Sequence, residues 1–140
     1  MKIQQISDIH EIALKQRDTL YVPDRVTVNT QMASCGIAAG ADKTLTRAVA
    51  EFGEDEHIQI RKTGCLGFCE LEPLVEIYQK NGPRIVYKNA TEDKIVDIIN
   101  GYMEGRFDKK QVLGQMRDPR SLLEEDFPNP LEGVAPAPEI

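Results

Sequence analysis

Tryptophan is absent, and aromatic residues make up only 6% of the 140 residues. So few rings cannot build a stacking platform for single-stranded nucleic acid or an aromatic face for carbohydrate. Positive charge is also in short supply: 17 Lys plus Arg stand against 23 Asp plus Glu, for a formal charge of −6 and a pI near 5.0. No basic footprint for a phosphate backbone follows from that balance. Uncharged apolar stretches run to only a few residues, against the roughly 20 that a membrane span needs. The start, Met1-Lys2-Ile3-Gln4-Gln5, passes into Ser7-Asp8 with no apolar signal core, so a soluble, cytoplasmic protein is expected. Cysteines number three, an odd count that argues against a disulfide framework and for reduced thiols that bind something.

With 41% apolar residues the chain can bury one modest core. Ser7 reads as the N-cap of a first helix with a stripe at Ile9, Ile12 and Ala13, ending before Pro23. Arg25 to Asn29 alternates, is rich in β-branched residues and predicts a strand that leads to Cys35. Gly36 to Ala41 reads as a small, flexible loop, after which Leu45, Val49 and Phe52 recur at helical spacing until Gly53. His57 to Arg61 predicts a second strand, followed at once by Cys65 and Cys69. Leu74 to Tyr78 and Arg84 to Tyr87 flank Asn81-Gly82 and predict a terminal antiparallel hairpin. Thr91 then caps a last helix that carries Ile95, Ile98 and Ile99 on one stripe.

These elements occupy residues 1–106, the expected domain. Residues 107–140 hold five of the eight prolines (Pro119, Pro128, Pro130, Pro136 and Pro138) with scattered apolar residues such as Val112, Leu113, Leu122, Leu123, Phe127 and Leu131. That composition cannot form a core of its own. The alternatives are a disordered end and an extended arm that orders against a partner; the arm is favoured because Leu122, Leu123 and Phe127 are costly to leave in water.

Chemistry concentrates in the cysteines. Cys65 and Cys69 are separated by three residues, and Gly64 and Gly67 let the backbone turn both sulfurs one way. Cys35 precedes Cys65 with 29 residues between them but also follows a strand, so adjacent strands of one sheet would bring all three sulfurs to one edge. Soft donors on glycine-rich loops suit an iron-sulfur cluster. Zinc on the three cysteines plus His57 is a second reading, weakened because His57 starts the strand whose far end carries Cys65. A thiol oxidoreductase with Cys35 as nucleophile is a third, without a Cys-x-x-Cys to resolve it. Gly36-Ile37-Ala38-Ala39-Gly40 lacks the pattern of a phosphate-binding loop. Glu70-Leu71-Glu72 reads as a solvated acidic turn, or as a site that docks a basic surface. His10, on the first helix, reads as solvated.

Two stretches, Met32-Ala33-Ser34-Cys35-Gly36-Ile37-Ala38-Ala39-Gly40-Ala41 and Thr63-Gly64-Cys65-Leu66-Gly67-Phe68-Cys69-Glu70-Leu71-Glu72-Pro73-Leu74-Val75, resemble the thioredoxin-like [2Fe-2S] ferredoxin family over roughly residues 25 to 105. The likeness is greatest to the small module found with, or fused to, the NADH-binding flavoprotein of complex I relatives, electron-bifurcating hydrogenases and formate dehydrogenases. The resemblance implies a thioredoxin-like α/β fold with a small mixed sheet flanked by helices, a cis-proline at Pro73, and a [2Fe-2S] cluster on Cys35, Cys65 and Cys69. It further implies a non-catalytic electron-transfer or assembly subunit, with FMN and NAD(P) on partner chains. Those partners would be an NADH-dehydrogenase-like flavoprotein, other iron-sulfur subunits and a hydrogenase or formate dehydrogenase catalytic subunit.

One position departs from the family pattern. Its usual first cysteine falls at Thr30, whose hydroxyl is a poor iron ligand. Three outcomes stay open: an unusual fourth ligand, a labile or partial cluster, or a cluster-free structural adaptor that keeps the fold.

Overall fold

The computed structural model describes residues 2–20, 24–80 and 82–116, the side chains of residues 17–20 excepted. Helix α1 (Ile6–Leu20) is followed by strand β1 (Val26–Gln31), helices α2 (Ser34–Ala38) and α3 (Ala41–Phe52), and strand β2 (Ile58–Thr63). A single 3-10 turn at Cys69–Leu71 precedes strands β3 (Val75–Gln79) and β4 (Arg84–Tyr87), helix α4 (Ile95–Met103) and strand β5 (Val112–Met116). The strands form one mixed sheet in the order β2-β1-β3-β4-β5, parallel only between β1 and β2. This is the α/β arrangement expected from the sequence.

The register decides which residues share a face. Val28 lies opposite Ile60 on one side and Ile77 on the other, and Ile77 lies opposite Ile85. Because side chains alternate along a strand, Val26, Val28, Val75, Ile77, Ile85 and Tyr87 share one face. Ala48 of α3 and Ile95, Ile98, Ile99 and Tyr102 of α4 belong with them to a single buried cluster. The α4 stripe is buried as expected, with Ile95 and Ile99 fully enclosed. In α3 the inward residues are Ala41, Thr44 and Ala48, while Val49 is half exposed, a correction to the stripe read from the sequence. Small residues win there because they admit the helix close to the sheet. The Thr44 hydroxyl then donates to the Ala90 carbonyl at 2.7 Å.

Further corrections concern element ends. Asp8, not Ser7, closes the start of α1, its carboxylate accepting from the backbone N–H groups of Gln4 and Gln5. The expected α1 stripe is not buried among the described residues: Ile9 is 53% exposed and Ala13 is exposed. Thr91 does not cap α4; its hydroxyl bonds the Asp93 carboxylate and its carbonyl receives the Lys94 and Ile95 N–H groups, so the helix begins at Ile95.

The boundary after residue 106 also moves. Val112–Met116, assigned to the tail, pairs antiparallel with β4 as the fifth strand, and the β3–β4 hairpin is therefore internal to the sheet. Its pairing partner explains this: β4 offers a free edge, and Val112 reaches the core at 5% exposure. The arm residues Leu122, Leu123, Phe127 and Leu131 lie outside the described residues.

Candidate metal centre

The parallel pair β1–β2 carries the site. Both strands end at one edge, where the Met32 N–H donates to the Thr63 carbonyl at 2.9 Å and the chain leaves each strand toward a cysteine. Of Gly36 to Ala41, expected as a flexible loop, the first three residues close instead with Ser34 and Cys35 into the short helix α2, with Cys35 in its first turn. Gly67, at φ 94°, supplies the left-handed turn that folds the Cys65–Cys69 segment back on itself. Gln31, fully buried at the end of β1, fixes that segment by accepting the Leu66 N–H on its Oε1 at 3.1 Å.

Three sulfurs converge as a result. Cys35 Sγ lies 3.7 Å from Cys65 Sγ and 3.2 Å from Cys69 Sγ, and Cys65 Sγ lies 3.6 Å from Cys69 Sγ. All three cysteines are free, Cys65 and Cys69 are exposed and Cys35 is half-buried. The Gly67 N–H points at Cys65 Sγ from 3.1 Å. A fourth group that the sequence reading left in solvent joins them. Glu72 is buried, and its Oε1 accepts from the thiols of Cys35 at 3.3 Å and Cys65 at 3.4 Å. Donor atoms of Cys35, Cys65, Cys69 and Glu72 all lie within 4.8 Å of one another. The acidic turn is therefore divided: Glu70 is exposed, and Glu72 turns inward. Its place immediately before Pro73, at the start of the buried run Leu74–Tyr78, was the available signal.

His57 is not in this group. It precedes β2 at the opposite end from Cys65, with its carbonyl accepting the Val26 N–H at 2.8 Å, which removes the three-cysteine-plus-histidine zinc set. Thr30 is fully buried on the face of Val26 and Val28, and its Oγ1 has no hydrogen-bond partner among the described residues, so it bonds none of the thiols. His10 is exposed, as expected.

The surroundings of the thiols favour their protonated forms. Hydrogen bonding with Cys69, then with the Glu72 carboxylate, pushes the Cys35 thiol up to about 12. The Gly67 N–H lowers the Cys65 thiol, but its neighbours, Cys69 foremost, leave it raised on balance. A nucleophilic thiolate requires the opposite shift, so the oxidoreductase reading of Cys35 has no support in this environment. Metal uptake must therefore release protons from these thiols.

A family model for thioredoxin-like [2Fe-2S] ferredoxins matches residues 19–103. The chain belongs to that family. A thioredoxin-like [2Fe-2S] ferredoxin from Aquifex aeolicus superposes with a TM-score of 0.56 at 16% identity, over 69% of this chain and 96% of that one. The wild-type thioredoxin-like [2Fe-2S] ferredoxin from the same organism gives a TM-score of 0.54 at 17% identity, over 65% of this chain and 98% of that one. At those identities the likeness is one of fold. No curated protein matches the chain. The expected cis bond is present in this ferredoxin, between Glu72 and Pro73.

The residues fit a [2Fe-2S] cluster by donor chemistry. Such a cluster takes four protein ligands, and in Rieske centres two of the four are histidines, so the number is more constant than the type. Three thiols and one buried carboxylate supply that number here. Backbone N–H groups aimed at sulfur, such as Gly67 toward Cys65, are the contacts that tune a cluster's potential.

Gly36 links fold and site. A Cβ there would lie 2.5 Å from the Gln31 carbonyl oxygen and 3.3 Å from Glu72 Oε2. Gly36→Ala is expected to push α2 away from β1, lowering stability by about 1–3 kcal/mol and slowing cluster incorporation. Thermal unfolding and iron uptake measured side by side check this, and values equal to wild type in both contradict it.

Proposed function

We propose that this ferredoxin is a small, non-catalytic electron-transfer subunit of a cytoplasmic NAD(P)-linked oxidoreductase complex, a hydrogenase or formate dehydrogenase that in its fullest form bifurcates electrons. FMN and NAD(P) belong to a partner, an NADH-dehydrogenase-like flavoprotein, alongside other iron-sulfur subunits. The observation that carries this reading is the convergence of three thiols and one carboxylate at the protein surface. When bound, a [2Fe-2S] cluster supplies a one-electron carrier at that point. The chain's own residues make the location useful: Cys65 and Cys69 stand exposed beside half-buried Leu66 and Phe68 of the same segment, and Ile37, two residues after Cys35, is 48% exposed. Among the described residues no helix is long and apolar enough to cross a membrane.

The test is isolation of the native complex through a tag on this chain, followed by anaerobic addition of NADH or NADPH. The expected result is a flavin-containing complex in which the nucleotide produces a reduced [2Fe-2S] EPR signal that disappears when Cys69 is replaced by serine. A complex without flavin, or a signal indifferent to NAD(P)H, contradicts the proposal.

A further inference from the structure

We infer that Glu72 is the fourth protein ligand of the cluster, supplying the donor that Thr30 does not. The inference rests on the cluster reading above and deepens it.

Burial is the first argument. Glu72 is 7% exposed, and among the described residues it forms no ion pair. A carboxylate removed from water without a cation or a full set of donors is expensive. Among the described residues Oε1 has only the two thiols as donors, and Oε2 is buried with no hydrogen-bond partner. A metal centre satisfies both conditions at once, because it supplies the positive charge and takes the place of the thiol protons. Glu70, two residues earlier and exposed, shows where a carboxylate of this turn sits when nothing draws it inward.

Position is the second. Thr30 lies opposite Val75 across the β1–β3 pair, and the Gln31 N–H donates to the Leu74 carbonyl at 3.1 Å. The segment from Glu72 to Leu74 therefore runs beside the end of β1, the strand from which the missing cysteine would project. A donor missing at the end of β1 is replaced from the segment that leads into β3. Gly36 leaves room for this, since even a methyl group would press on Glu72 Oε2 from 3.3 Å. Thr30 itself is turned to the helix-covered face, away from Gln31 by strand alternation, and its hydroxyl bonds neither the thiols nor Glu72.

Chemistry is the third. A carboxylate offers two hard oxygen donors to iron, where a threonine hydroxyl is a poor ligand. Neither histidine joins the group: His57 stands at the far end of β2, about 20 Å along a strand of this length, and His10 is exposed on α1.

The full chain, as wild type, Glu72→Gln and Glu72→Cys, is to be reconstituted anaerobically with ferrous iron and sulfide. Iron and acid-labile sulfide per chain, visible absorption, EPR of the reduced sample and the rate of iron loss to a chelator are then recorded. Glu72→Gln is expected to lose iron at least tenfold faster than wild type, tenfold being the lower end of the effect of residues one shell further out. Glu72→Cys is expected to hold iron and sulfide as wild type does, with altered charge-transfer bands and g-values because sulfur has replaced oxygen on iron. If Glu72→Gln fails to fold, Glu72→Cys decides alone. A Glu72→Gln cluster with wild-type spectra and lifetime overturns the inference, as does a Glu72→Cys protein that is spectroscopically identical to wild type or carries no cluster. A wild-type chain that takes up neither iron nor sulfide is a distinct failure: it removes the cluster reading, and the Glu72 assignment with it.

Discussion

Cys69→Ser is expected to bring iron and acid-labile sulfide to background and to abolish visible absorption, and Cys65→Ser to do the same. The two sulfurs lie 3.6 Å apart on one short segment, and Cys35 Sγ is 3.2 Å from Cys69 Sγ, so each thiol borders the same small volume. Serine keeps the shape but substitutes a hydroxyl that does not ionise near neutral pH, removing a soft anionic donor from iron. Fold stability is expected to change little, because Cys65 and Cys69 are exposed and contribute nothing to the buried cluster of the core. Iron analysis, absorption spectra and circular dichroism on each variant separate loss of ligand from loss of fold. Iron content equal to wild type in either variant would remove that cysteine from the ligand set.

Ile77→Ala is expected to do the reverse, lowering stability by about 2–5 kcal/mol, a large share of the roughly 5–15 kcal/mol that holds a domain together. Ile77 is completely buried and sits at the centre of the sheet, with Val28 on one side and Ile85 on the other. Tight packing on both flanks leaves few ways for the structure to collapse into the space that the alanine leaves. Urea unfolding should show a lower midpoint with an unchanged slope. A loss below about 1 kcal/mol would mean that this part of the sheet is less tightly packed than its burial indicates.

What the sequence disclosed follows from what each feature depends on. The β1 strand, the α4 stripe of Ile95, Ile98 and Ile99, and the convergence of three cysteines were legible because local periodicity or loop position carries them. The glycine-rich run after Cys35 gave no helical signal, since α2 is held by its place against Gln31 and Glu72 rather than by propensity. Strand β5 was hidden in a proline-rich tail, because what makes Val112–Met116 a strand is the open edge of β4, a partner distant in sequence. Glu72 was indistinguishable from Glu70 by composition, and only the turn of the chain before Pro73 sends one inward and leaves the other in water. The site residue that the sequence withheld is the one whose role depends on tertiary contacts alone.

The most direct measurement is iron and acid-labile sulfide per chain in the wild-type protein purified without oxygen, with EPR of the reduced sample. About two irons and two sulfides per chain, with a reduced [2Fe-2S] signal, is the result that an electron-carrying ferredoxin predicts. Absence of both, or a single metal ion without sulfide, would contradict it and leave the fold with a different occupant or none.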